Sequence, residues 1–117
     1  MLKDYQEFTN TTAIYRQGIG GYNYEDCKSL LLVCYPAMEL VDEAGEVLGK
    51  VKKALRGDYG FDELREKVAP EIGDVFYPLA CLCEELGLDM EEIVKANQKK
   101  LQDRLERNVI KGEGDSR

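Results

Sequence analysis

The sequence has no histidine and no tryptophan, and it has only three prolines. Without histidine, neither an imidazole ligand for a metal nor a nucleophilic triad that depends on one is available. The four cysteines lack CxxC spacing, so zinc sites and thioredoxin-like redox sites are not indicated. Three of them, Cys34, Cys81 and Cys83, lie among apolar residues, and we expect them to pack as small core side chains.

Basic residues are outnumbered, with 16 basic against 23 acidic side chains and a net charge of -7. This balance disfavours binding to polymeric nucleic acid or to an anionic membrane. No apolar run is long enough to span a bilayer and the first residues lack a signal-peptide pattern, so we expect a cytoplasmic protein. With 44% hydrophobic residues, residues 1–117 are predicted to form a single domain.

Two short acidic motifs lie in the middle of the chain. Glu43 and Glu46 are three residues apart, and so are Glu71 and Asp74. Residues at this spacing lie one turn apart on the same face of a helix, so each motif presents a pair of carboxylates. Each motif also borders an apolar stripe with helical spacing: Leu40, Ala44, Val47, Val51 and Leu55 in the first stretch, and Leu64, Val68, Ile72, Val75, Leu79, Leu82 and Leu86 in the second.

The segment between the motifs predicts a tight reversal between two helices. Gly57 and Gly60 mark the break, and Asp62 is the predicted N-cap of the second helix. Counted outward from Tyr59, the two acid pairs are almost equally distant, so an antiparallel hairpin brings all four carboxylates to one height. The glycine inside each motif would let the two backbones approach closely.

Four carboxylates at one height repel each other unless a cation lies among them. A ligand set made only of oxygens suits Mg²⁺ or Mn²⁺ rather than zinc. The alternative is that the acids are surface charges neutralised by nearby lysines, which would be Lys50, Lys52, Lys53 or Lys67. The matching register of the two motifs favours the metal site.

Several short segments accompany the acidic motifs: Tyr5-Gln6, Thr12 to Tyr15, Tyr35-Pro36, Ala96-Asn97, Lys100-Leu101, Arg104, and Gly112 to Arg117. Together they resemble the MazG-like branch of the all-α nucleoside triphosphate pyrophosphohydrolases, in particular its small phage and bacterial members. The sequence departs from the family pattern at Glu39, at Asp42 and at Tyr77-Pro78. These departures affect the expected shape of the base pocket.

The resemblance implies an all-α bundle of four to five helices, assembled as a dimer or tetramer, in the cytoplasm of a bacterium or of a phage host. It implies hydrolysis of a nucleoside triphosphate to the monophosphate and pyrophosphate. The four acids would hold two or three Mg²⁺ or Mn²⁺ ions, which neutralise the phosphates and orient them for in-line attack on the α-phosphorus. Glu46 is the candidate general base.

A last helix is predicted from Met90 to about Arg107, opened by a capping box of Asp89 and Glu92. It carries a row of hydrogen-bond donors that suit triphosphate oxygens, although a solvated helix face would have the same pattern. By resemblance, the candidate substrate-binding residues are Asn97, Lys100 and Arg104 in this row, together with Tyr77, Asp115 and Arg117.

The remaining segments give weaker expectations. Residues 2–15 predict a short first helix, and residues 16–24 a glycine-rich mobile flap that lacks the features of a P-loop. Residues 29–35 are apolar on every side of a helix, which indicates a partner subunit. Pro36 is predicted to kink or restart its helix, and Pro78 is predicted to kink its helix. The tail from residue 112 is predicted to be disordered by composition, or to fold over the nucleotide by resemblance.

We therefore expect a nucleoside triphosphate pyrophosphohydrolase, with dGTP as the candidate substrate. A non-catalytic nucleotide-binding or regulatory protein is the alternative, and a purely structural acidic bundle is a third. Release of pyrophosphate would distinguish the first from the other two.

Overall fold

The computed structural model describes residues 2–12 and 24–117, and every regular element in these ranges is a helix. The helices are α1 (Leu2–Thr12), α2 (Tyr24–Leu55), α3 (Phe61–Leu86) and α4 (Met90–Glu106). The prediction of an all-α fold is confirmed. The predicted glycine-rich flap, apart from the first residue of α2, lies outside the described residues, as do residues 13–15 of the predicted first helix.

The chain divides into two compact units, Met1–Tyr35 and Pro36–Arg117. All of the candidate site residues belong to the second unit. The assignment of the whole chain to a single domain stays a prediction.

The reversal between α2 and α3 occurs where the glycines predicted it. Gly57 has a φ of 90°, a left-handed conformation that costs glycine little because it has no Cβ. Its amide donates to the carbonyl of Ala54 at 3.0 Å, and the amide of Asp58 donates to the carbonyl of Lys53 at 3.0 Å. This pair of bonds is a Schellman motif, which satisfies the last carbonyls of α2.

The start of α3 differs from the prediction. Its N-cap is Gly60, which offers no side-chain hydrogen bond, and the helix begins at Phe61. Asp62, predicted as the N-cap, lies in the first turn instead. Its negative charge there still interacts favourably with the positive end of the helix dipole.

Tyr59 ties the loop to both helices. Its hydroxyl donates to the backbone carbonyl of Lys50 at 2.7 Å, and the ammonium of Lys67 lies 5.3 Å from the centre of its ring. These contacts connect the end of α2 with the first turns of α3 and fix the geometry of the hairpin.

Most residues of the two apolar stripes are half-buried and form the seam of the hairpin, whereas Ala44, Leu55, Ile72 and Leu86 are exposed. Among the described side chains, only Pro36, Pro78 and Arg104 are buried. Large apolar side chains outside the seam are exposed, including Met38 at 72% and Leu48 at 68%. The residues that the structure describes therefore leave much of their apolar surface without cover.

Two expectations about core packing are wrong. Cys34 is exposed, whereas Cys81 and Cys83 are half-buried, because the apolar segment around Cys34 has no cover within the described chain. At Gly45 and Gly73, no described atom beyond the local helix backbone lies within 4 Å of the position that a Cβ would occupy. The two glycines therefore do not mark a close approach between helices of one chain.

The prolines do not interrupt their helices. α2 continues through Pro36, and α3 continues through Pro70 and Pro78. The expectation that α2 restarts at Pro36 is wrong, since a proline removes a single amide donor and the hydrogen-bond ladder resumes beyond it. Whether either helix is kinked stays a prediction.

α4 begins and ends as capping rules require. The Asp89 carboxylate accepts from the amide of Glu91 at 2.8 Å and from that of Glu92 at 3.3 Å, which confirms Asp89 as the N-cap. At the other end Asn108 adopts a φ of 61°, and the amide of Val109 donates to the carbonyl of Arg104 at 2.8 Å. No helix in the described part of the chain has the length and apolarity needed to cross a bilayer.

Candidate metal and phosphate site

Three of the four predicted acids come together between α2 and α3. Glu43 of α2 and Glu71 and Asp74 of α3 each offer one carboxylate oxygen, and these oxygens lie within 4.8 Å of one another. Glu43 and Glu71 are half-buried, and Asp74 is exposed. We call these three residues the acid cluster. Three carboxylates at this separation could share one cation, although exposed acidic groups also occur without one.

Glu46 is not part of the acid cluster found among the described residues. It is exposed. With 3.6 residues per turn, a residue three positions after Glu43 is rotated by about 60° around the helix. This rotation turns Glu46 further from the seam between the helices than Glu43.

Lys50 lies next to the acid cluster. Its ammonium is 3.3 Å from Oε1 of Glu71, and both side chains are mostly shielded from solvent. Seven residues make almost two helical turns, so Lys50 returns to the flank of α2 that carries Glu43. One of the lysines considered as a neutralising partner therefore does pair with a cluster acid, whereas Lys67 pairs with Glu63.

The crowding of negative charge has an effect on Glu43. Its pKa is raised above the ordinary value, first by partial burial and then by four neighbouring carboxylates. These are, in order of effect, Asp74, Asp42, Glu39 and Glu71. The two family departures on α2, Glu39 and Asp42, thus add to the negative potential at the site.

Two of the predicted phosphate-binding cations lie on α4 and contact the tail. The ammonium of Lys100 is 2.8 Å from Oδ1 of Asp115. Nη2 of Arg104 donates to the same oxygen at 3.0 Å and to the backbone carbonyl of Asp115 at 2.7 Å. The hydrogen bonds from Lys100 and then from Arg104 hold the pKa of the Asp115 carboxyl below its usual value.

The tail is folded back on α4, so the expectation of disorder from composition is wrong. Nη2 of Arg107 donates to the backbone carbonyl of Arg117 at 2.8 Å. The guanidinium of Arg117 in turn donates to the carbonyls of Gly114 and Ile110. Glycine content alone does not reveal this arrangement, because the bonds depend on two arginines reaching backbone carbonyls.

The other two candidate substrate-binding residues are exposed. Asn97 is on α4, three residues before Lys100. Tyr77 is on α3, three residues after Asp74, and is 65% exposed. Their roles toward a nucleotide stay predictions.

The MazG nucleotide pyrophosphohydrolase domain matches residues 37–109, which is more than half of the chain. The chain belongs to the MazG family. The "Gene 37 protein" of Mycobacterium phage L5 is a relative, 41% identical over 115 residues that cover 97% of this chain and 96% of the relative. No solved structure matches the chain.

The MazG match begins one residue after the start of the second compact unit. It contains the acid cluster and the two α4 cations that contact the tail, Lys100 and Arg104, but ends before Asp115. MazG domains are nucleotide pyrophosphohydrolases, so the family places this chain among the hydrolases, and MazG enzymes are generally metal-dependent. The phage relative agrees with the predicted small phage type.

Two contacts of the site were outside the reach of the sequence. The pairing of Lys50 with Glu71 was one of several lysine options, and only the packing of α2 on α3 selects it. The contact of Asp115 with both α4 cations was missed as well. The spacing of glycines in the tail was a signal for a turn, but the partner of the carboxylate depends on how that turn folds.

Proposed function

We propose that this MazG-family chain hydrolyses a nucleoside triphosphate to the monophosphate and pyrophosphate in a reaction that depends on Mg²⁺ or Mn²⁺. The observation that carries the proposal is the convergence of Glu43, Glu71 and Asp74 from two helices within a family of pyrophosphohydrolases. Carboxylate oxygens are the ligands that these hard cations prefer.

The residues fit a divalent cation. Lys50 neutralises one of the three negative charges of the acid cluster, so an excess of negative charge remains for a metal ion. The pKa of Glu43 is raised by partial burial and then by the neighbouring carboxylates, and a cation among these groups would relieve both effects. Glu46, exposed one turn along α2, is proposed as a fourth ligand that completes the set.

Each residue has a proposed task. A bound divalent cation supplies neutralisation of the phosphate oxygens and a lower pKa for water. The Glu46 carboxylate accepts the proton of the water that attacks the α-phosphorus. Lys100 and Arg104 bind phosphate oxygens that the acid cluster does not reach, and Asn97 and Tyr77 contribute further contacts to the nucleotide.

The proposed substrate is a deoxynucleoside triphosphate, with dGTP as the first candidate. The sequence departs from the family pattern at Tyr77 and Pro78, which follow Asp74 on α3. The preference for a base would therefore depend on residues particular to this chain. A binding or regulatory role without catalysis is the second candidate, because the α4 cations are already paired with Asp115.

The test is a panel of all eight common nucleoside and deoxynucleoside triphosphates, with the products identified. We expect release of pyrophosphate and a monophosphate with Mg²⁺ or Mn²⁺, loss of activity with a chelator, and poor activity with Ca²⁺, whose bonds are longer and geometry looser. Release of inorganic phosphate and a diphosphate would contradict the proposal. Metal-dependent binding without any hydrolysis would establish the regulatory alternative.

We further propose that the functional unit is a homodimer or homotetramer located in the cytoplasm. The support is the large exposed apolar surface of α2, where Met38, Val41 and Leu48 are 72%, 73% and 68% exposed. Surface of this kind is uncommon on a stable monomer and is typical of an interface between subunits.

A further inference from the structure

The guanidinium of Arg104 is the most buried charged group of the described chain. Its side chain is only 7% exposed, and charged side chains at such burial are almost always paired. Its pairing is incomplete, however. Nη2 contacts Asp115, whereas Nε is buried and has no hydrogen-bond partner among the described residues.

The geometry of this pairing explains the missing bond. A guanidinium offers a fork of donors along its Nε and Nη2 edge, which matches two oxygens of a carboxylate or phosphate. The side chain of Asp115 uses a single oxygen, Oδ1, for both Lys100 and Arg104, and its backbone carbonyl accepts a second bond from the same Nη2. An anion with several oxygens on one centre could occupy Nε and Nη2 together and still reach Lys100. Asp115 therefore leaves the Nε end of this donor fork unused.

Asp115 itself is weakly held. Its side chain is 82% exposed, so water competes for its oxygens and weakens the ion pairs. Replacing it by an incoming anion exchanges one set of charge-assisted bonds for another, so the cost of the exchange is small.

The backbone next to Asp115 is suited to such an exchange. Gly112 has a φ of 146°, and a Cβ at this position would lie 3.0 Å from Cδ of Arg117. The remaining tail contacts are made with the last turn of α4 and within the tail. None of the hydrogen bonds described for the tail involves α2 or α3, so release of Asp115 would leave the α2–α3 hairpin in place.

We propose that Asp115 is a resident anion on the Lys100–Arg104 pair and that a phosphoryl group of the ligand displaces it, so that the tail opens when the ligand binds. The nature of the ligand, a di- or triphosphate chain, rests on the proposed function. The exchange itself is a statement about anion binding and involves no covalent step.

The first test measures binding of inorganic pyrophosphate by titration calorimetry, in chelator and at low ionic strength. Asp115→Asn removes the competing charge with little change in shape, and Glu113→Gln removes one charge from the same tail at an exposed position. We expect Asp115→Asn to bind pyrophosphate about 3- to 5-fold more tightly than wild type, the size expected for loss of an ion pair with an exposed partner. Glu113→Gln should change the affinity less than about 2-fold.

The outcome of this comparison decides the proposal. Equal effects of Asp115→Asn and Glu113→Gln would overturn it, because net charge alone would then explain the gain. Weaker binding by Asp115→Asn would also overturn it, because Asp115 would then orient the cations for the ligand. Absence of binding in both wild type and Asp115→Asn would have the same consequence.

A double variant localises the effect. Adding Lys100→Ala to Asp115→Asn should remove the gain in affinity, and a gain that persists would contradict the assignment of the site. A second readout uses the exposed Lys111 as a trypsin site. Cleavage after Lys111 in wild type should accelerate when pyrophosphate is added, whereas unchanged or slower cleavage would overturn opening of the tail.

These measurements use no metal and no turnover, so they separate the two proposals. Tighter pyrophosphate binding by Asp115→Asn in a chain that hydrolyses nothing would support the anion exchange and refute the proposed function. If wild type hydrolyses the nucleotide but Asp115→Asn binds pyrophosphate with the affinity of wild type, the proposed function would be supported and the anion exchange refuted.

Discussion

At the scale of single residues, Glu71 is subject to two opposing charges. The ammonium of Lys50 lies 3.3 Å from it, while the carboxylates of Glu43 and Asp74 lie within the same cluster. A substitution of Glu71 therefore removes repulsion and an ion pair at once. Asp74 is the better position for isolating the repulsion, since it is exposed and raises the pKa of Glu43 more than any other charged neighbour.

We expect Asp74→Asn to raise the melting temperature of the metal-free protein by about 1–3 °C, because one like charge is lost from the cluster. Glu71→Gln should give no such rise, because Lys50 loses its partner. Wild type should gain about 2.7 kcal/mol at a hundredfold excess of Mn²⁺ over its dissociation constant, and both variants should gain much less. Thermal unfolding with chelator and with Mn²⁺ measures all of these values. If Mn²⁺ stabilises Asp74→Asn as much as it stabilises wild type, Asp74 is not a ligand of the metal.

The raised pKa of Glu43 predicts a pH dependence of stability. The folded protein binds a proton at Glu43 more readily than the unfolded chain does, so stability from this group is present below the ordinary value of 4.5 and is lost as pH rises through the raised value. Glu43→Gln mimics the protonated form at every pH. Its melting temperature in chelator should exceed that of wild type most at about pH 7, and the excess should shrink towards about pH 5.

The control for this pH series is Glu85→Gln, at an exposed position of α3. It should change the melting temperature little at either pH. If the melting temperature of Glu43→Gln exceeds that of wild type by the same amount at both pH values, burial and neighbouring charge do not affect the ionisation of Glu43.

At the scale of elements, the hairpin of α2 and α3 depends on its loop. Gly57 provides the left-handed residue that ends α2, and Tyr59 connects the loop to α2 through the carbonyl of Lys50. Lys50 also pairs with Glu71 through its side-chain ammonium. Loop geometry and site geometry are therefore connected through one residue.

Tyr59→Phe removes the hydroxyl and keeps the ring. We expect it to lower the free energy of unfolding by about 1 kcal/mol, the usual net contribution of one hydrogen bond. Tyr59→Ala should cost more, since the ring contact with Lys67 is lost as well. Urea unfolding at one fixed protein concentration measures both. If Tyr59→Phe is as stable as wild type, water replaces this bond and the loop does not depend on it.

At the scale of the whole molecule, apolar surface is the dominant feature. No apolar side chain apart from Pro36 and Pro78 is buried among the described residues. Folding is driven mainly by removal of apolar surface from water. Association of subunits, as proposed above, would bury more of this apolar surface and add to that stabilisation.

We therefore expect light scattering after size exclusion to give at least twice the mass of one chain at micromolar concentration. The double variant Val41→Glu with Leu48→Glu should shift the protein towards the monomer and lower its stability, because charges at a buried interface are not paired. Lys53→Glu adds negative charge to another side of α2 and should leave the mass unchanged. A wild-type mass of a single chain would show that these side chains are exposed in solution.

The sequence by itself determined most of the local structure. Period-3.6 stripes located α2 and α3, Gly57 located the reversal, and Asp89 located the start of α4. These features depend on backbone propensity and on contacts within a few residues, which are present in the sequence pattern itself. Three of the four carboxylates of the acidic motifs, Glu43, Glu71 and Asp74, do lie together, and their role as metal ligands stays a prediction.

The tertiary structure decided which charges meet. Glu46 shares a motif with Glu43, yet only Glu43 joins Glu71 and Asp74 in the acid cluster, and Lys50 forms the ion pair with Glu71. The tail was expected to be disordered, yet Asp115 lies against Lys100 and Arg104. Charge pairs of this kind depend on distances of a few ångströms between groups on different segments, and Coulomb energy changes steeply over such distances. A sequence pattern gives the order of the charges along the chain, whereas only the packed helices and the folded tail give their separations.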